Sequence, residues 1–71
     1  MNRFGTKLKT LRKHKKLSQV QLGTLLGVAH SHIGGMERGE RLPSVPMLIK
    51  IADIFGVTTD QLVRDELELD E

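Results

Sequence analysis

Apolar residues recur along this chain at spacings of three and four, and no stretch of useful length alternates between apolar and polar positions. This periodicity predicts amphipathic helices without strands. Phe4, Leu8 and Leu11 predict a first helix from about Gly5 to His14, with basic side chains on its other faces. No linker divides the chain, so we expect a compact all-α fold of five short helices around one aliphatic core.

A tight turn is predicted to join two short helices between residues 18 and 38. Ser18 is suited to cap the first of them, and Gln21 three residues later completes a capping box. Gly27 stands where this helix must end, the usual position of a left-handed glycine. Two helices joined in this way form a helix-turn-helix unit. The inward positions expected in the two helices are Leu22, Leu25, Leu26, Ile33 and Met36.

Three glycines lie inside these two helices. Each costs about 1 kcal/mol of helix stability relative to alanine, so each requires a reason of packing or access. At Gly23, the missing Cβ would let the second helix pack closely against the first. At Gly34 and Gly35, it would leave the surface of the second helix open to a close approach.

The second half of the chain predicts two further helices. Ser44 caps a fourth helix, with Pro46 in its first turn and Gly56 at its end. Thr58 and Gln61 repeat the capping-box spacing at the start of a short fifth helix. The positions expected to face the core are Val45, Leu48, Ile51, Ala52 and Phe55 in the fourth helix and Leu62 and Val63 in the fifth.

Charge divides the chain into two regions. Residues 1–16 contain seven lysines and arginines and no acid, whereas residues 65–71 contain five acids and no base. We therefore predict a domain, residues 1–64, in which eleven bases against four acids leave a net charge of +7, followed by an acidic tail. Such a basic domain favours a polyanionic partner, with a solvated charged surface as the alternative. The tail is expected to extend the fifth helix, to fray or to contact a protein partner.

Composition and spacing exclude several classes of protein. The chain has no cysteine, so it has no disulfide, thiolate zinc site or cysteine nucleophile, which suits a reducing cytoplasm. Its apolar runs are far shorter than the roughly 20 residues of a membrane span. His30 and His32 face apart on a helix, and Ser18 and Ser44 serve as caps. We therefore expect no metal, no cofactor and no enzymatic activity.

The second helix of the helix-turn-helix unit has the form of a recognition helix for the major groove. The residues expected to face bases are His30, Ser31, His32, Gly34 and Gly35. None of them makes the bidentate pairs by which arginine reads guanine or glutamine reads adenine, so we expect sparse direct readout. The residues expected to contact the DNA backbone are Lys9, Lys13, Lys16, Ser18, Gln19, Arg38 and Arg41.

Three segments carry a family resemblance: LRKHKKLSQ, MERGERLPS and IADIFGVTTDQL. With the Leu-Gly turn and its spacing to Ile33, they resemble the lambda-repressor/Cro-like helix-turn-helix family, also called the XRE family. The resemblance extends from Phe4 to Val63 and implies the five-helix fold and binding to double-stranded DNA. It also implies an ion pair between Arg12 and Glu37, which in the family joins the first helix to the end of the third.

The same resemblance places Gln19 at a position that contacts the DNA backbone, and His30, Ser31 and Gly35 at base-reading positions. Gly34 followed by Gly35 departs from the usual family pattern, and Gly35 has no side chain with which to read a base. We therefore expect the unit to dock on DNA better than it discriminates between sequences.

The sequence favours a cytoplasmic, nucleoid-associated transcriptional regulator of a prokaryote or phage, with repression as the preferred mode. It is expected to bind a palindromic operator as a homodimer, with two third helices in successive major grooves about 34 Å apart. The alternative is an antitoxin-type interaction module whose acidic tail covers a toxin while its helices bind its own promoter. For four further leucines, two roles are expected with equal weight, ordinary packing or a dimer face: Leu42, Leu62, Leu67 and Leu69.

Overall fold

Five α-helices and no strand are formed by residues 1–69, the part of the chain that the computed structural model describes. The helices are α1 (Phe4–His14), α2 (Gln19–Leu26), α3 (His30–Glu37), α4 (Val45–Phe55) and α5 (Thr59–Val63). The predicted all-α fold is confirmed, and none of these five helices is long and apolar enough to cross a membrane. Asp70 and Glu71, the end of the expected acidic tail, lie outside the described residues.

Side-chain caps begin α2, α4 and α5 at the residues that the sequence predicts. Ser18 Oγ accepts the Gln21 N–H at 3.0 Å, and Gln21 Oε1 accepts the Ser18 N–H at 2.8 Å. Thr58 and Gln61 repeat this capping box at 3.0 and 2.9 Å. Ser44 Oγ accepts the N–H of the third residue of α4 at 3.3 Å. Each bond satisfies a backbone N–H that the first turn of a helix leaves without an intrahelical acceptor.

Glycines form the turn of the helix-turn-helix unit and permit two close helix contacts. Gly27 ends α2 in the left-handed conformation, with φ 76°. A Cβ on Gly23 would lie 2.5 Å from the carbonyl oxygen of Val28, and one on Gly5 would lie 2.5 Å from that of Met36. Because both obstacles are backbone atoms, a side chain fits at neither position. The predicted role of Gly23 is confirmed, whereas the contact of Gly5 with the end of α3 had no signal in the sequence.

The core draws apolar residues from all five helices: Phe4, Leu8, Leu22, Leu26, Ile33, Met36, Ile51, Ala52 and Leu62. Two predicted inward positions are wrong, since Leu25 is 51% exposed and Val45 is 70% exposed. The face of α2 that packs is centred on Leu22 and Leu26, which turns Leu25 outward. Val45 is the first residue of α4, where the helix has not yet reached the core. Leu62 is fully buried and is therefore a packing residue.

Lys7 departs from the expectation that the basic residues of α1 lie on its exposed faces. The residue is only 2% exposed. Its Nζ donates to the carbonyl oxygens of Gln61, Arg64 and Leu67 at 2.6, 2.9 and 2.6 Å. These carbonyls lie at and beyond the C-terminal end of α5, where a helix leaves its last C=O groups without N–H partners. Lys7 therefore fastens α5 and the segment after it to α1.

The described part of the acidic tail folds back onto the start of α1. Asp65 accepts the N–H groups of Asn2 and Arg3, both at 2.9 Å. Glu68 accepts from two nitrogens of the Arg3 guanidinium, at 2.9 and 2.8 Å. This segment thus binds within the chain instead of extending α5. The predicted boundary at residue 64 stays a prediction, because a docked segment can still be dispensable for folding.

Candidate nucleic-acid interface

α3 is anchored in the core by two side chains and exposed at its first turn. Ile33 and Met36 point into the core and are fully buried. His30 and Ser31, in the first turn, are exposed, and His32 is partly exposed. A helix held in this way can enter the major groove with its first turn leading, as recognition helices of helix-turn-helix domains do.

Arginine side chains from the end of α3 and the loop after it cover the two glycines of the helix. A Cβ on Gly34 would lie 3.0 Å from Arg38 Nη1, and one on Gly35 would lie 3.2 Å from Arg41 Cδ. Both glycines are consequently buried. This corrects the expectation that they leave this part of α3 open. Their contact with bases, like the other base-facing assignments, stays a prediction.

The ion pair implied between Arg12 and Glu37 is present, with side chains that are only 10% and 4% exposed. Arg12 Nε and Nη2 lie 2.6 and 3.1 Å from the two carboxylate oxygens of Glu37. Arg12 Nη1 also donates to the Leu17 carbonyl at 2.9 Å, and Gln19 Nε2 donates to Glu37 at 3.2 Å. The hydrogen bond to Glu37 raises the pKa of Arg12, so the guanidinium stays charged. This network joins α1, the turn before α2, α2 itself and the end of α3.

The start of α2 lies beside this network. Ser18 is exposed, whereas Gln19 is partly buried. The Gln19 side-chain amide nitrogen lies 3.5 Å from the position of a Cβ on Gly34, so the side chain spans from α2 to α3. The sequence alone predicts only a DNA-backbone contact for Gln19, and that contact stays a prediction.

The remaining residues assigned to the DNA backbone lie on the protein surface. Lys9 and Lys13 are one turn apart on the exposed side of α1, and Lys16 is exposed in the turn before α2, with φ 57°. Arg38 pairs with Glu40 at 3.0 and 3.2 Å, and this hydrogen bonding lowers the pKa of the Glu40 carboxyl. Exposed lysines and arginines supply a sequence-independent attraction for phosphates.

Arg41 follows the outer side of α3. Its Cγ and Cδ lie 3.3 and 3.2 Å from the position of a Cβ on Gly35. Its Nη1 lies 3.5 Å from His32 Nδ1. Helical spacing could have indicated that Arg38 covers Gly34, because residues four apart share a helix face. Arg41 stands in a loop, where no periodicity predicts the direction of a side chain.

The site has the chemistry of recognition. It offers exposed cations, hydrogen-bonding side chains and a helix whose first turn is exposed, and in residues 1–69 no group of three potential ligands could hold a metal ion. Two helices joined at a left-handed glycine, with the second supported by α1, define a helix-turn-helix DNA-binding domain.

The chain belongs to the helix-turn-helix family HTH_3, whose family model matches residues 8–62. Members of this family are DNA-binding regulators of transcription and not enzymes. The resemblance to the lambda-repressor/Cro-like, or XRE, family is thereby confirmed.

Similar proteins come from bacteria and their phages. The uncharacterized HTH-type transcriptional regulator YazB of Bacillus subtilis (strain 168) is 33% identical over 63 residues, which cover 89% of this chain and 91% of YazB. The immunity repressor protein of Bacillus phage phi105 is 31% identical over 67 residues, which cover 94% of this chain and 46% of that repressor. Among solved structures, the P22 c2 repressor protein in complex with synthetic operator 9T is 27% identical, with a TM-score of 0.82 over 89% of this chain and 96% of that one.

Proposed function

We propose that this protein is a transcriptional repressor that binds a palindromic operator as a homodimer in the cytoplasm of a bacterium or a phage-infected cell. The supporting observation is the presentation of α3, which is fixed to the core by Ile33 and Met36 and leaves His30 and Ser31 exposed. The P22 c2 repressor, whose structure was solved on a synthetic operator, has the same fold.

Contacts to the DNA backbone would hold α3 in the groove. In helix-turn-helix docking the first helix of the unit crosses the sugar-phosphate backbone. Gln19 stands at the start of that helix, where free N–H groups and the helix dipole attract a phosphate. Arg38 follows α3 and is exposed. These groups supply affinity and salt dependence, because phosphate contacts bear no sequence information.

The binding test is selection of bound sequences from random duplex DNA, followed by affinity measurements against salt concentration. We expect enrichment of a palindrome whose half-sites are about 34 Å apart, the separation of successive major grooves. We also expect the logarithm of the binding constant to fall linearly with the logarithm of the salt concentration. A flat salt response without an enriched palindrome would contradict the proposed function.

An exposed apolar surface at the start of α4 is the proposed dimer face. Leu42 is 71% exposed, Val45 is 70% exposed and Ile49 is 51% exposed. Val45 and Ile49 are one helical turn apart, so they share a face of α4. Exposed apolar residues that lie together on one face are a mark of protein contact sites, whereas single ones are ordinary. A second copy of the chain would bury it, as a twofold operator complex requires.

The dimer test uses two variants with equal exposure at the substituted position. Ile49→Asp places a charge on the α4 surface, and Leu25→Asp does the same on α2, where Leu25 is likewise 51% exposed. We expect Ile49→Asp to be monomeric in sedimentation equilibrium, while Leu25→Asp keeps the dimer of the unmodified chain. Dissociation by Leu25→Asp alone would place the dimer face on α2 and overturn this assignment.

The antitoxin alternative gains no support from the described residues. It requires a tail that is available to a toxin, whereas Asp65 and Glu68 are bound to Asn2 and Arg3. We therefore propose repression without a toxin partner.

A further inference from the structure

The outer face of α3 presents few of its own hydrogen-bonding groups to a base. Gly35 lies two residues after the buried Ile33, which places it on the opposite side of the helix, next to Ser31 one turn earlier. The position that a base-reading side chain would occupy therefore holds a glycine. Serine and histidine at the start of α3 do not form a bidentate pair with a base.

Arg41 fills the space that Gly35 leaves. Its Cγ and Cδ lie 3.3 and 3.2 Å from where the Gly35 side chain would begin, so its aliphatic part runs along the outer face of α3. Its Nη1 lies 3.5 Å from His32 Nδ1, which places the guanidinium beside the helix. An arginine anchored in the loop thus stands in place of a side chain from the helix.

We propose that Arg41 reads a guanine in the major groove across Gly35. An arginine guanidinium can donate two parallel hydrogen bonds to guanine O6 and N7, the commonest specific contact between proteins and DNA. This inference rests on the proposed operator binding and assigns its sequence discrimination to one loop residue. It replaces the phosphate contact that the sequence predicts for Arg41.

Arg38 is less suited to this task, although its side chain lies over Gly34. Its Nε and Nη2 both bind the Glu40 carboxylate, at 3.0 and 3.2 Å, so one of its donor edges is occupied. Within residues 1–69, the guanidinium of Arg41 makes one side-chain hydrogen-bond contact, through Nη1 alone. The two arginines carry the same charge on the same segment, which makes Arg38 a matched control.

The test compares Arg41→Gln and Arg38→Gln, each of which removes one positive charge from the loop. Sequence selection from random duplex DNA is repeated for both variants, with folding verified by circular dichroism. Affinities are then measured at one salt concentration for the enriched duplex and its single base-pair substitutions. The unmodified protein is expected to select a G·C pair at one position of each half-site. Arg41→Gln is expected to lose that preference by roughly ten- to a hundredfold, while Arg38→Gln weakens all duplexes equally.

A second variant tests the role of the glycine. Gly35→Ala adds a methyl group in contact with the Arg41 side chain and is expected to reduce the same G·C preference while the protein stays folded. Uniform weakening by Arg41→Gln, or loss of the G·C preference in Arg38→Gln instead, would overturn the assignment while leaving operator binding intact. If the unmodified protein selects no sequence, the proposed function fails and this inference with it.

Discussion

At the scale of single residues, the neighbours of a glycine decide what a substitution does. Beside Gly23, the obstacle to a Cβ is the carbonyl oxygen of Val28, at 2.5 Å, and a backbone atom cannot move without shifting α3. Beside Gly35, the obstacle is the flexible side chain of Arg41, at 3.2 Å. Both glycines lie inside helices, where alanine has the higher intrinsic stability by about 1 kcal/mol.

We therefore predict opposite effects for Gly23→Ala and Gly35→Ala. Gly23→Ala is expected to lower the free energy of unfolding by about 1 to 3 kcal/mol, because overpacking outweighs the gain in helix propensity. Gly35→Ala is expected to leave it unchanged or raise it by up to about 1 kcal/mol, because Arg41 can move aside. Urea unfolding followed by circular dichroism measures both. Equal stability of Gly23→Ala and the unmodified protein would contradict the close contact.

Whether a residue's role could be predicted depended on how far along the chain its partners lie. The Ser18 and Gln21 capping box involves residues three apart, so local chemistry was sufficient to predict it. Lys7 binds carbonyls 54 to 60 residues away, and nothing near it in sequence distinguishes it from the exposed lysines of α1. The position of the Arg41 side chain over Gly35 could not be predicted either, because a loop has no helical periodicity from which the direction of a side chain follows.

At the scale of elements, the Arg12–Glu37 pair fixes α1 against the recognition helix. Family resemblance was needed to predict it, because 25 residues separate its members. A buried ion pair contributes little net stability, since desolvation of both charges offsets their attraction. The pair instead fixes the relative positions of the helices, because Arg12 also donates to the Leu17 carbonyl and Glu37 also accepts from the Gln19 side chain.

We predict that Arg12→Met alone lowers the free energy of unfolding by about 3 kcal/mol, because Glu37 is left charged and buried. Arg12→Met combined with Glu37→Leu is expected to recover most of that loss, since no unpaired charge remains. Urea unfolding of the two single variants and the double variant forms a double-mutant cycle. Strict additivity of the two single losses would show that the pair is not coupled.

Lys7 joins α1 to α5, and a lysine of the same helix serves as its control. Lys7→Met leaves three carbonyl groups without their charged donor, so we predict a loss of about 3 kcal/mol in the free energy of unfolding. Lys9→Met removes the same charge from an exposed position and is expected to change it by less than about 0.5 kcal/mol. Similar thermal midpoints for the two variants would contradict the buried role of Lys7.

At the scale of the whole molecule, the two ends of α1 have opposite electrostatic surroundings. The carboxylates of Asp65 and Glu68 lie at its first turn, where the helix dipole favours negative charge. Lys13 and Lys16 lie in and after its last turn, about 16 Å along the helix. The docked carboxylates are offset by Arg3 and the N-terminal ammonium, which precede α1, so the exposed lysines at the other end of the helix remain a positive surface.

Because of this docking, the free energy of unfolding is expected to depend on pH. The hydrogen bonds from the N–H groups of Arg3 and Asn2 lower the pKa of Asp65, and the hydrogen bond from the Arg3 guanidinium lowers that of Glu68. A carboxyl with a lower pKa in the folded state stabilises that state above its unfolded pKa, which is about 4. We therefore predict that the free energy of unfolding declines as the pH falls below about 4 and through the folded pKa values.

The variant Asp65→Asn tests the assignment of this acid sensitivity, because it removes the carboxyl that receives both backbone N–H groups. It is expected to be less stable than the unmodified protein at pH 7 and to show a shallower loss between about pH 4 and pH 2. Glu66→Gln is the control, because it removes the same charge from the same segment. The Glu66 carboxylate pairs with Arg64 at 3.5 Å, whereas that of Asp65 binds Asn2 and Arg3. Denaturant unfolding across this pH range gives both slopes. If Asp65→Asn keeps the slope of the unmodified protein while Glu66→Gln loses it, the docking of Asp65 on α1 is not the source of the pH dependence.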